Sequence, residues 1–241
     1  LSFKISPDFE NGDTGPYSLT LTASSALASS SVDISVTVDF TDTPSKALVQ
    51  TRVFGNGSEV VYLDAQDQQA VSDYYYKDGD DYTISTYLTD VYHIGRYQID
   101  TITKYDTTNP AADIWSYSTQ DAQTTDSGNP YTLVSASKTK AYLIRYGSSK
   151  VWIVDPTASN AEDFKIGELD LSSYIPSNNT KGTPSPAAAV INDGKIFITM
   201  QRLADDWSAN TTYVAVFDVT TDTEIETLAN DEDTVKGIPL M

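Results

Sequence analysis

The stretch AYLIRYGSSKVWIVDPT, residues 141–157, decides the fold. It contains two short apolar runs separated by a Gly-Ser-Ser turn, and the first run ends at Arg145. The second run ends ten residues later, at Asp155. Short apolar runs bounded by turn residues are typical of β-strands. The stretch therefore predicts two adjacent β-strands joined by a tight turn.

The same pattern recurs on both sides of this stretch. Arg96 in VYHIGRY is followed ten residues later by Asp106, and Arg202 in IFITMQRL is followed sixteen residues later by Asp218. The three arginines lie 49 and 57 residues apart, although the chain has only four arginines in all. One strand-like run precedes each pair and another follows it. Periods of about 40–50 residues with four strands each are typical of the blades of a β-propeller.

The sequence therefore predicts an all-β protein, a β-propeller of four-stranded antiparallel blades. Helical periodicity is almost absent, and runs such as KVWIV are apolar at nearly every position, as in strands buried on both faces of stacked sheets. The propeller is complete or partial, with about four to five units in this chain. A single domain over residues 1–241 is expected, with units at 1–45 (irregular), 46–118 (holding an insertion or an extra blade), 130–172 and 187–228, and the start of a further strand at 236–241.

The two ends of the chain decide whether the ring closes. If GIPLM near the end pairs with FKIS near the start, the ring closes within this chain. Otherwise missing blades or a partner chain completing the propeller would cover the end sheets, because a bare apolar sheet face is unfavourable in water.

Composition limits the classes of partner. The chain has 34 acidic and 15 basic residues, and its net charge of −19 repels nucleic acid, so no nucleic-acid partner is expected. The absence of cysteine excludes disulfides and thiolate metal sites. No run of 18 apolar residues occurs, so no membrane span is predicted. An acidic, cysteine-free chain rich in Thr, Ser and Tyr is typical of a secreted or cell-surface bacterial protein.

The segments VYHIGRYQIDTITKYDTTNP, AYLIRYGSSKVWIVDPT and YVAVFDVTTDTEI resemble blades of bacterial extracytoplasmic β-propellers of the YVTN/YncE-like and NHL-like type. The resemblance covers residues 90–241 well and residues 1–90 poorly. It implies that the leading strands line a central channel and that the loops at one end form a binding face. It also implies an extracytoplasmic location: periplasmic, cell-surface or secreted.

Two functions follow from this reading. The first is a non-catalytic binding or scaffolding module whose partner is a protein or a surface polysaccharide. The second is a metal-dependent, lactonase-like hydrolase with its site in the propeller channel, which needs several carboxylates or amides to converge there. No motif singles out such a set among the acidic residues, so the sequence favours the binding module and leaves enzymatic activity open.

The repeated residues have a structural and a functional interpretation. In the structural one, the arginines tether neighbouring blades through bidentate hydrogen bonds and the aspartates cap turns. In the functional one, the arginines form a ring of positive charge that holds an anionic ligand. The set comprises Arg96, Arg145, Arg202, Asp106, Asp155 and Asp218.

Two further stretches are candidate sites. LADDWSAN places Asp205, Asp206 and Trp207 in a loop six residues longer than its counterparts, which predicts an exposed contact site for a ligand or partner. The other interpretation is that Trp207 folds back over a sheet edge. KDGDDYT contains Asp78, Asp80 and Asp81 around a glycine, which is either a calcium site or a plain acidic turn. No cofactor is required by the sequence.

Overall fold

The computed structural model describes residues 17–24, 29–36, 46–64, 70–106, 112–122, 124–227 and 235–240. The chain forms two compact units, residues 1–45 and 46–241, where the sequence predicts a single domain. The division coincides with the predicted end of the first unit. That unit contains an antiparallel pair, β1 (Tyr17–Ser24) and β2 (Ser29–Val36). The segment FKIS lies outside the described residues, so its predicted pairing is untested.

The second unit is a series of antiparallel sheets in which strands adjacent in sequence pair with each other. Sheet I consists of β3 (Lys46–Val53), β4 (Gly57–Asp64) and β5 (Ala70–Asp78). Sheet II consists of β6 (Tyr82–Tyr87), β7 (Asp90–Gly95), β8 (Thr101–Tyr105) and β9 (Asp113–Ser118). Sheet III consists of β10 (Pro130–Ser137), β11 (Lys140–Arg145), β12 (Lys150–Val154) and β13 (Lys165–Asp170). Sheet IV consists of β14 (Pro186–Asn192), β15 (Lys195–Met200), β16 (Thr212–Asp218) and β17 (Ile238–Leu240).

The first strands of sheets II, III and IV lie beside one another, with β10 packed between β6 and β14. Ser85 on β6 joins two of them directly: its Oγ accepts a hydrogen bond of 3.0 Å from the N–H of Leu133 on β10. Four-stranded meanders arranged with their first strands innermost are the blades of a β-propeller. The fold is therefore all-β and that of a partial β-propeller, as the sequence predicts.

Apolar side chains fill the spaces between successive sheets. Between sheets III and IV the buried set includes Tyr142, Ile144, Val151, Ile153, Ile196, Ile198, Met200 and Phe217. Between sheets II and III it includes Tyr92, Ile94, Trp115, Leu143, Trp152 and Phe164. Between sheets I and II it is smaller, with Val60, Val91 and Tyr105 buried. This alternation of side chains between two covered faces explains why β11 and β12 are apolar at almost every position.

Residues 46–118 form two sheets rather than one unit. Sheet I, over residues 46–78, is a three-stranded sheet of its own, and sheet II begins at Tyr82. The sequence left open whether residues 46–90 are an insertion or an extra blade, and within this range residues 46–78 and residues 82–87 belong to different sheets. The turn from β14 to β15 is a tight hairpin at NDGK, residues 192–195, in which Asp193 and Gly194 have φ of 48° and 69°, the left-handed pair of a type I′ turn.

The further strand predicted to start at 236–241 is present, but it belongs to sheet IV. Ile238–Leu240 is β17, the fourth strand of sheet IV, and Tyr213 on β16 lies opposite Pro239. Proline lacks an N–H and is tolerated on an edge strand, which β17 is. Residues 223–227, which precede β17, contact β16 through an isolated bridge between Phe217 and Glu224 and a hydrogen bond from the Ile225 N–H to the Val216 carbonyl.

Helical structure is confined to short segments in the described residues. The helix α1 (Ala161–Phe164) follows Asn160, whose side chain accepts a hydrogen bond from the N–H of Asp163. A 3₁₀ turn covers Ser172–Tyr174. Within the described part of the chain, no helix combines the length and the apolar character that crossing a membrane requires.

Candidate binding face

The meander topology brings two kinds of connection to one end of the sheets. In sheets II–IV the turn between the second and third strands lies at the end where the first strand begins, and the fourth strand also finishes there. We call this the loop end; it comprises the connections 96–100, 119–129, 146–149, 171–185 and 201–211. Backbone hydrogen bonds join neighbouring connections there, from Gly147 N–H to the Gly128 carbonyl (2.9 Å) and from Asp205 N–H to the Asn178 carbonyl (3.0 Å).

All three repeated arginines lie at the loop end, but not at one register position. Arg145 is the last residue of β11 and lies opposite Pro130, the first residue of β10. Arg96 comes one residue after the equivalent position of β7, and Arg202 comes two residues after that of β15. Arg202 also has a left-handed backbone, with φ of 49°.

Arg145 is buried, with 1% of its surface exposed. Its Nη2 donates a 2.7 Å hydrogen bond to Asp121 Oδ2, and its guanidinium lies 4.3 Å from the ring centre of Trp152. Gly128 leaves room for this arrangement, because a Cβ there would lie 2.6 Å from Nη2. Arg145 therefore fastens the connection between sheets II and III to the end of sheet III.

Arg96 begins a row of side chains that crosses three sheets. It pairs with Asp81 at 3.3 Å and lies 3.9 Å from the ring centre of Tyr131. Tyr131 stacks on Tyr146, with ring centres 4.7 Å apart, and the Tyr146 hydroxyl donates a 2.8 Å hydrogen bond to Gln201 Oε1. The row links sheet II to sheet IV through sheet III at the loop end.

Arg202 binds carbonyl oxygens rather than a carboxylate. Its Nε donates a 2.7 Å hydrogen bond to the Tyr174 carbonyl, and its Nη1 donates to the Thr211 carbonyl. It borders a shallow cavity of about 290 Å³ whose lining also includes Ser173 and Tyr213. Each of the three guanidiniums thus has a protein partner, which is the arrangement expected of inter-sheet tethers.

The repeated aspartates lie at the opposite end and occupy one register position. Asp106 and Asp155 directly follow a third strand, and Asp218 ends one. The backbone N–H of each donates a hydrogen bond to a carbonyl just before the position of the fourth strand: that of Ala112, Phe164 and Thr223, respectively. The Asp155 carboxylate accepts hydrogen bonds from the N–H and hydroxyl of Thr157. The N–H groups of Thr221 and Thr220 bind Asp218 and lower the pKa of its carboxyl. Asp155 and Asp218 therefore cap turns.

Asp80 and Asp81 bind different partners. Asp80 Oδ2 accepts a 3.0 Å hydrogen bond from the N–H of Gly55 in sheet I. Asp81 binds Arg96 and also accepts from the N–H of Tyr97. Within the ranges that the structure describes, no group of three or more His, Cys, Asp or Glu side chains could hold a metal ion. The calcium site at Asp78, Asp80 and Asp81 remains a prediction.

Trp207 stands out at the loop end. It is 65% exposed, whereas Trp115 and Trp152 are 9% and 5% exposed, so the exposure predicted from the long loop is confirmed. Lys181 Nζ lies 4.1 Å from the centre of its ring. Trp207 also has φ of 67°, a left-handed conformation that bulky residues rarely adopt.

Hydrogen bonds from the neighbouring connection hold the loop that carries Trp207. Asp205 accepts from the N–H and the hydroxyl of Thr180, at 2.9 and 2.7 Å, and these bonds lower the pKa of the Asp205 carboxyl. Asn178 and Asn210 exchange amide hydrogen bonds of 3.3 and 3.1 Å. Asp206 caps its own turn by accepting from the N–H and hydroxyl of Ser208. Segments 178–182 and 203–210 together form what we call the Trp207 platform.

His93 is away from the loop-end surface, fully buried on β7. Burial, with a contribution from the charge of Lys77, lowers the pKa of His93 to about 4. Its Nδ1 lies 3.4 Å from the Tyr105 hydroxyl, and its ring packs against Tyr82 with centres 4.7 Å apart. A neutral, packed histidine of this kind has a structural role.

Sequence reasoning missed several residues of the loop end. Tyr131 contacts Arg96, Asp121 contacts Arg145, and Tyr146 stacks on Tyr131. No period in the sequence reveals them, because the lengths of the connections differ between units. One signal was available: Arg96 and Arg145 are each followed directly by tyrosine. Lys181 and Thr180 belong to the platform but come from a different connection than Trp207.

No protein family model matches the chain, and no curated protein matches it either. Among solved structures, it is similar to a putative 6-phosphogluconolactonase from Bacteroides uniformis (14% identity, 95% of this chain and 65% of that chain, TM-score 0.46). It is also similar to a streptogramin B lyase (12%, 77% and 60%, TM-score 0.43) and to apo AztD from Citrobacter koseri (15%, 88% and 54%, TM-score 0.40). The chain thus spans between 54% and 65% of these structures' lengths, and likeness at this level assigns no function.

Proposed function

We propose that this chain is a non-catalytic binding module that acts outside the cytoplasm and presents the Trp207 platform to a protein or a surface polysaccharide. One observation carries the proposal: Trp207 is 65% exposed on a loop whose own position is fixed by side-chain hydrogen bonds. A large aromatic side chain held in water is a common contact residue, because its apolar area is released from water when a partner covers it.

The platform is organised before any partner arrives. Asp205 holds the adjacent connection through Thr180, and the paired amides of Asn178 and Asn210 close the other side. Such preorganisation reduces the conformational entropy that binding would otherwise remove. The left-handed backbone of Trp207 is consistent with this, since strained positions cluster at binding sites.

The charge of the chain indicates which partners suit the platform. A net charge of −19 disfavours polyanions. Lys181 lies over one side of the indole, and the exposure of Trp207 leaves ring surface for stacking on a neutral sugar or for an apolar protein contact. Both partner classes therefore share the same anchor.

The alternative, a metal-dependent hydrolase, has no observation in its favour. Its site would need several metal ligands meeting near the first strands, and none of the described segments brings three such side chains together. We therefore propose only the binding function.

Fluorescence titration tests the proposal, because Trp207 is the one strongly exposed tryptophan of the three. The chain is titrated with the neutral polysaccharides dextran and mannan and, separately, with the basic proteins lysozyme and cytochrome c. Binding by at least one probe should change the emission, and Trp207→Ala should weaken that binding about tenfold or more, the loss of roughly 1.4 kcal/mol typical of an anchor residue.

Leu88→Ala is the matched control. Leu88 is 52% exposed and lies in the turn between β6 and β7, at the opposite end of the sheets. It should leave the affinity unchanged. A probe that binds Trp207→Ala as tightly as the parent chain would contradict the proposed role of the platform.

A further inference from the structure

The sheets of the second unit have two kinds of face. On sheet III, Leu143 and Trp152 pack toward sheet II, whereas Tyr142 and Ile153 pack toward sheet IV. We call the face toward the preceding sheet the back face and that toward the following sheet the front face. The apolar cluster between sheets II and III and that between sheets III and IV each join a front face to a back face.

Sheet IV has a front face built like that of sheet III. Phe197 and Val216 of sheet IV are equivalent to Tyr142 and Ile153 of sheet III. In each sheet the two residues lie opposite one another on the second and third strands. Val190 extends this row, since it lies opposite Phe197. On sheet III, Tyr142 and Ile153 are buried in the cluster with sheet IV, and Val134, the equivalent of Val190, is half-buried.

The front face of sheet IV is uncovered over the first strand. Val190 is 58% exposed, and Ala188 beside it on β14 is also exposed. Along this row Val216 is 3% exposed and Phe197 is half-buried, so the uncovered apolar part of the face lies along β14.

Sheet I leaves the complementary face uncovered. Leu48 and Val60 pack toward sheet II, so Val49 and Val53, which alternate with Leu48 along β3, lie on the back face. Val49, Val53 and Tyr76 are 38%, 61% and 52% exposed. Val53 and Tyr76 also line a shallow cavity of about 110 Å³ on this face.

We propose that a second copy of this chain covers both faces: the front face of sheet IV of each copy packs on the back face of sheet I of the other. Such a contact would continue the pairing already present within the chain, because the interfaces between sheets II and III and between sheets III and IV each join a front face to a back face. The four sheets of the second unit, taken from each of two copies, give eight, within the range of about 4–8 blades in propeller rings. A head-to-tail contact of this kind closes when the rotation between copies completes the ring.

Charge sets the conditions of the association. Two chains that each carry −19 repel one another, and salt screens this repulsion. The dimer should therefore strengthen between low salt and about 0.15 M salt.

The first test measures the mass of the full chain by light scattering during gel filtration. The parent chain should elute with the mass of two chains, and so should Ile166→Asp, which alters an exposed residue on the outer strand β13. Val190→Asp and Val49→Asp should each weaken dimerisation about 100-fold, because each would bury a charge in an apolar contact. Circular dichroism checks that each variant folds.

Mixing the two variants makes the test specific to head-to-tail pairing. Each homodimer would have two damaged contacts, but a mixture has one intact contact, between Val190 of one variant and Val49 of the other, and should recover dimers. A dimer of Val49→Asp alone as tight as the parent would show sheet IV pairing with itself and overturn the proposal. A parent chain that stays monomeric, or that grows into longer assemblies with concentration, would overturn it equally.

A second measurement does not depend on tolerance of a buried charge. The chain has no cysteine, so Val190→Cys and Val49→Cys introduce single thiols. Under mild oxidation a mixture of the two should give a cross-linked dimer at several times the yield of either variant alone. Equal yields would overturn the proposal.

Discussion

The interface between sheets III and IV and that between sheets I and II share one architecture but differ in what fills them. The first is a continuous apolar cluster in which Tyr142, Ile144 and Ile198 are fully buried. The second has a small apolar cluster and two fully buried polar side chains, Ser58 and His93. In the part of the chain that the structure describes, Ser58 Oγ and His93 Nε2 have no hydrogen-bond partner.

This difference indicates that stability is uneven along the series of sheets. Buried apolar area stabilises by about 25 cal/mol per Å², whereas a buried polar atom without a partner costs about 1–3 kcal/mol. In stacked repeats, stability is close to a sum of terms for each unit and each contact between neighbours. We therefore expect sheet I to separate from its neighbour more readily than sheet IV does.

The largest expected effect comes from equal truncations at the two interfaces. Ile198→Ala should lower the free energy of unfolding by about 3–5 kcal/mol, because Ile198 is fully buried between sheets III and IV. Ile84→Ala, the matched change at the smaller cluster, should cost about 1–2 kcal/mol, since Ile84 is only partly buried. Urea denaturation of both variants measures the difference. Equal losses would show that the two interfaces contribute alike.

The second prediction concerns the ion pair of Arg145 and Asp121, which joins sheet III to the connection from sheet II and so lies between the two interfaces compared above. Asp121→Ala should destabilise by about 3 kcal/mol, because it leaves a buried guanidinium without its carboxylate. Arg145→Met should cost less, since Asp121 is 38% exposed and can be hydrated, and the methionine keeps contact with Trp152. Urea midpoints of the two variants give the order. The reverse order would mean that packing of the Arg145 stem, rather than the charge, holds this connection.

The sequence predicted the sheets better than it predicted the contacts between them. The aspartates at the ends of the third strands fall at one register position, because each lies opposite the first residue of the second strand of its sheet, as Asp218 lies opposite Lys195. The arginines do not, since Arg145 is the last residue of its second strand, whereas Arg96 and Arg202 lie in the connections that follow β7 and β15. A one-residue shift in a strand is invisible in a spacing of about 50 residues.

The candidate site was predictable only in part, for a related reason. The excess length of the loop was enough to predict that Trp207 is exposed. Its supports, Thr180 and Lys181, lie on another connection, and only the folded topology brings the two together. The same holds for the uncovered faces, because a period in the sequence shows which residues are apolar but not which sheet lacks a neighbour.

The third prediction uses pH to test the polar interface. The pKa of His93 is about 4 in the folded chain, below the value of about 6.5 in an unfolded chain. Between these values the unfolded state binds more protons, so the free energy of unfolding falls as pH falls from 6.5 to 4. The loss attributable to His93 is at most about 3 kcal/mol.

His93→Gln isolates this contribution, because glutamine does not titrate. The difference in unfolding free energy between parent and variant should change by about 2–3 kcal/mol between pH 7 and pH 4, with the parent losing more. Urea titrations at several pH values measure it. A constant difference would show that His93 is hydrated enough to accept a proton without cost.

The smallest expected effect concerns a polar tether at the apolar interface. Lys140 Nζ on sheet III donates 2.7 Å hydrogen bonds to Asp222 Oδ2 and to the Val219 carbonyl in the turn of sheet IV. Lys140→Met should cost only about 0.5–1 kcal/mol, and less in high salt, because the pair is partly exposed and the apolar cluster beneath it is unchanged. Lys104→Met is the control, since Lys104 pairs with Asp90 within sheet II at the same 2.7 Å. Similar small losses for both, measured by urea denaturation at low and high salt, are expected if apolar burial holds sheet IV on sheet III. A loss above about 2 kcal/mol for Lys140→Met alone would instead show that the Lys140 tether holds sheet IV on sheet III. The difference in stability between the two interfaces would then come from their polar groups rather than from their buried apolar area.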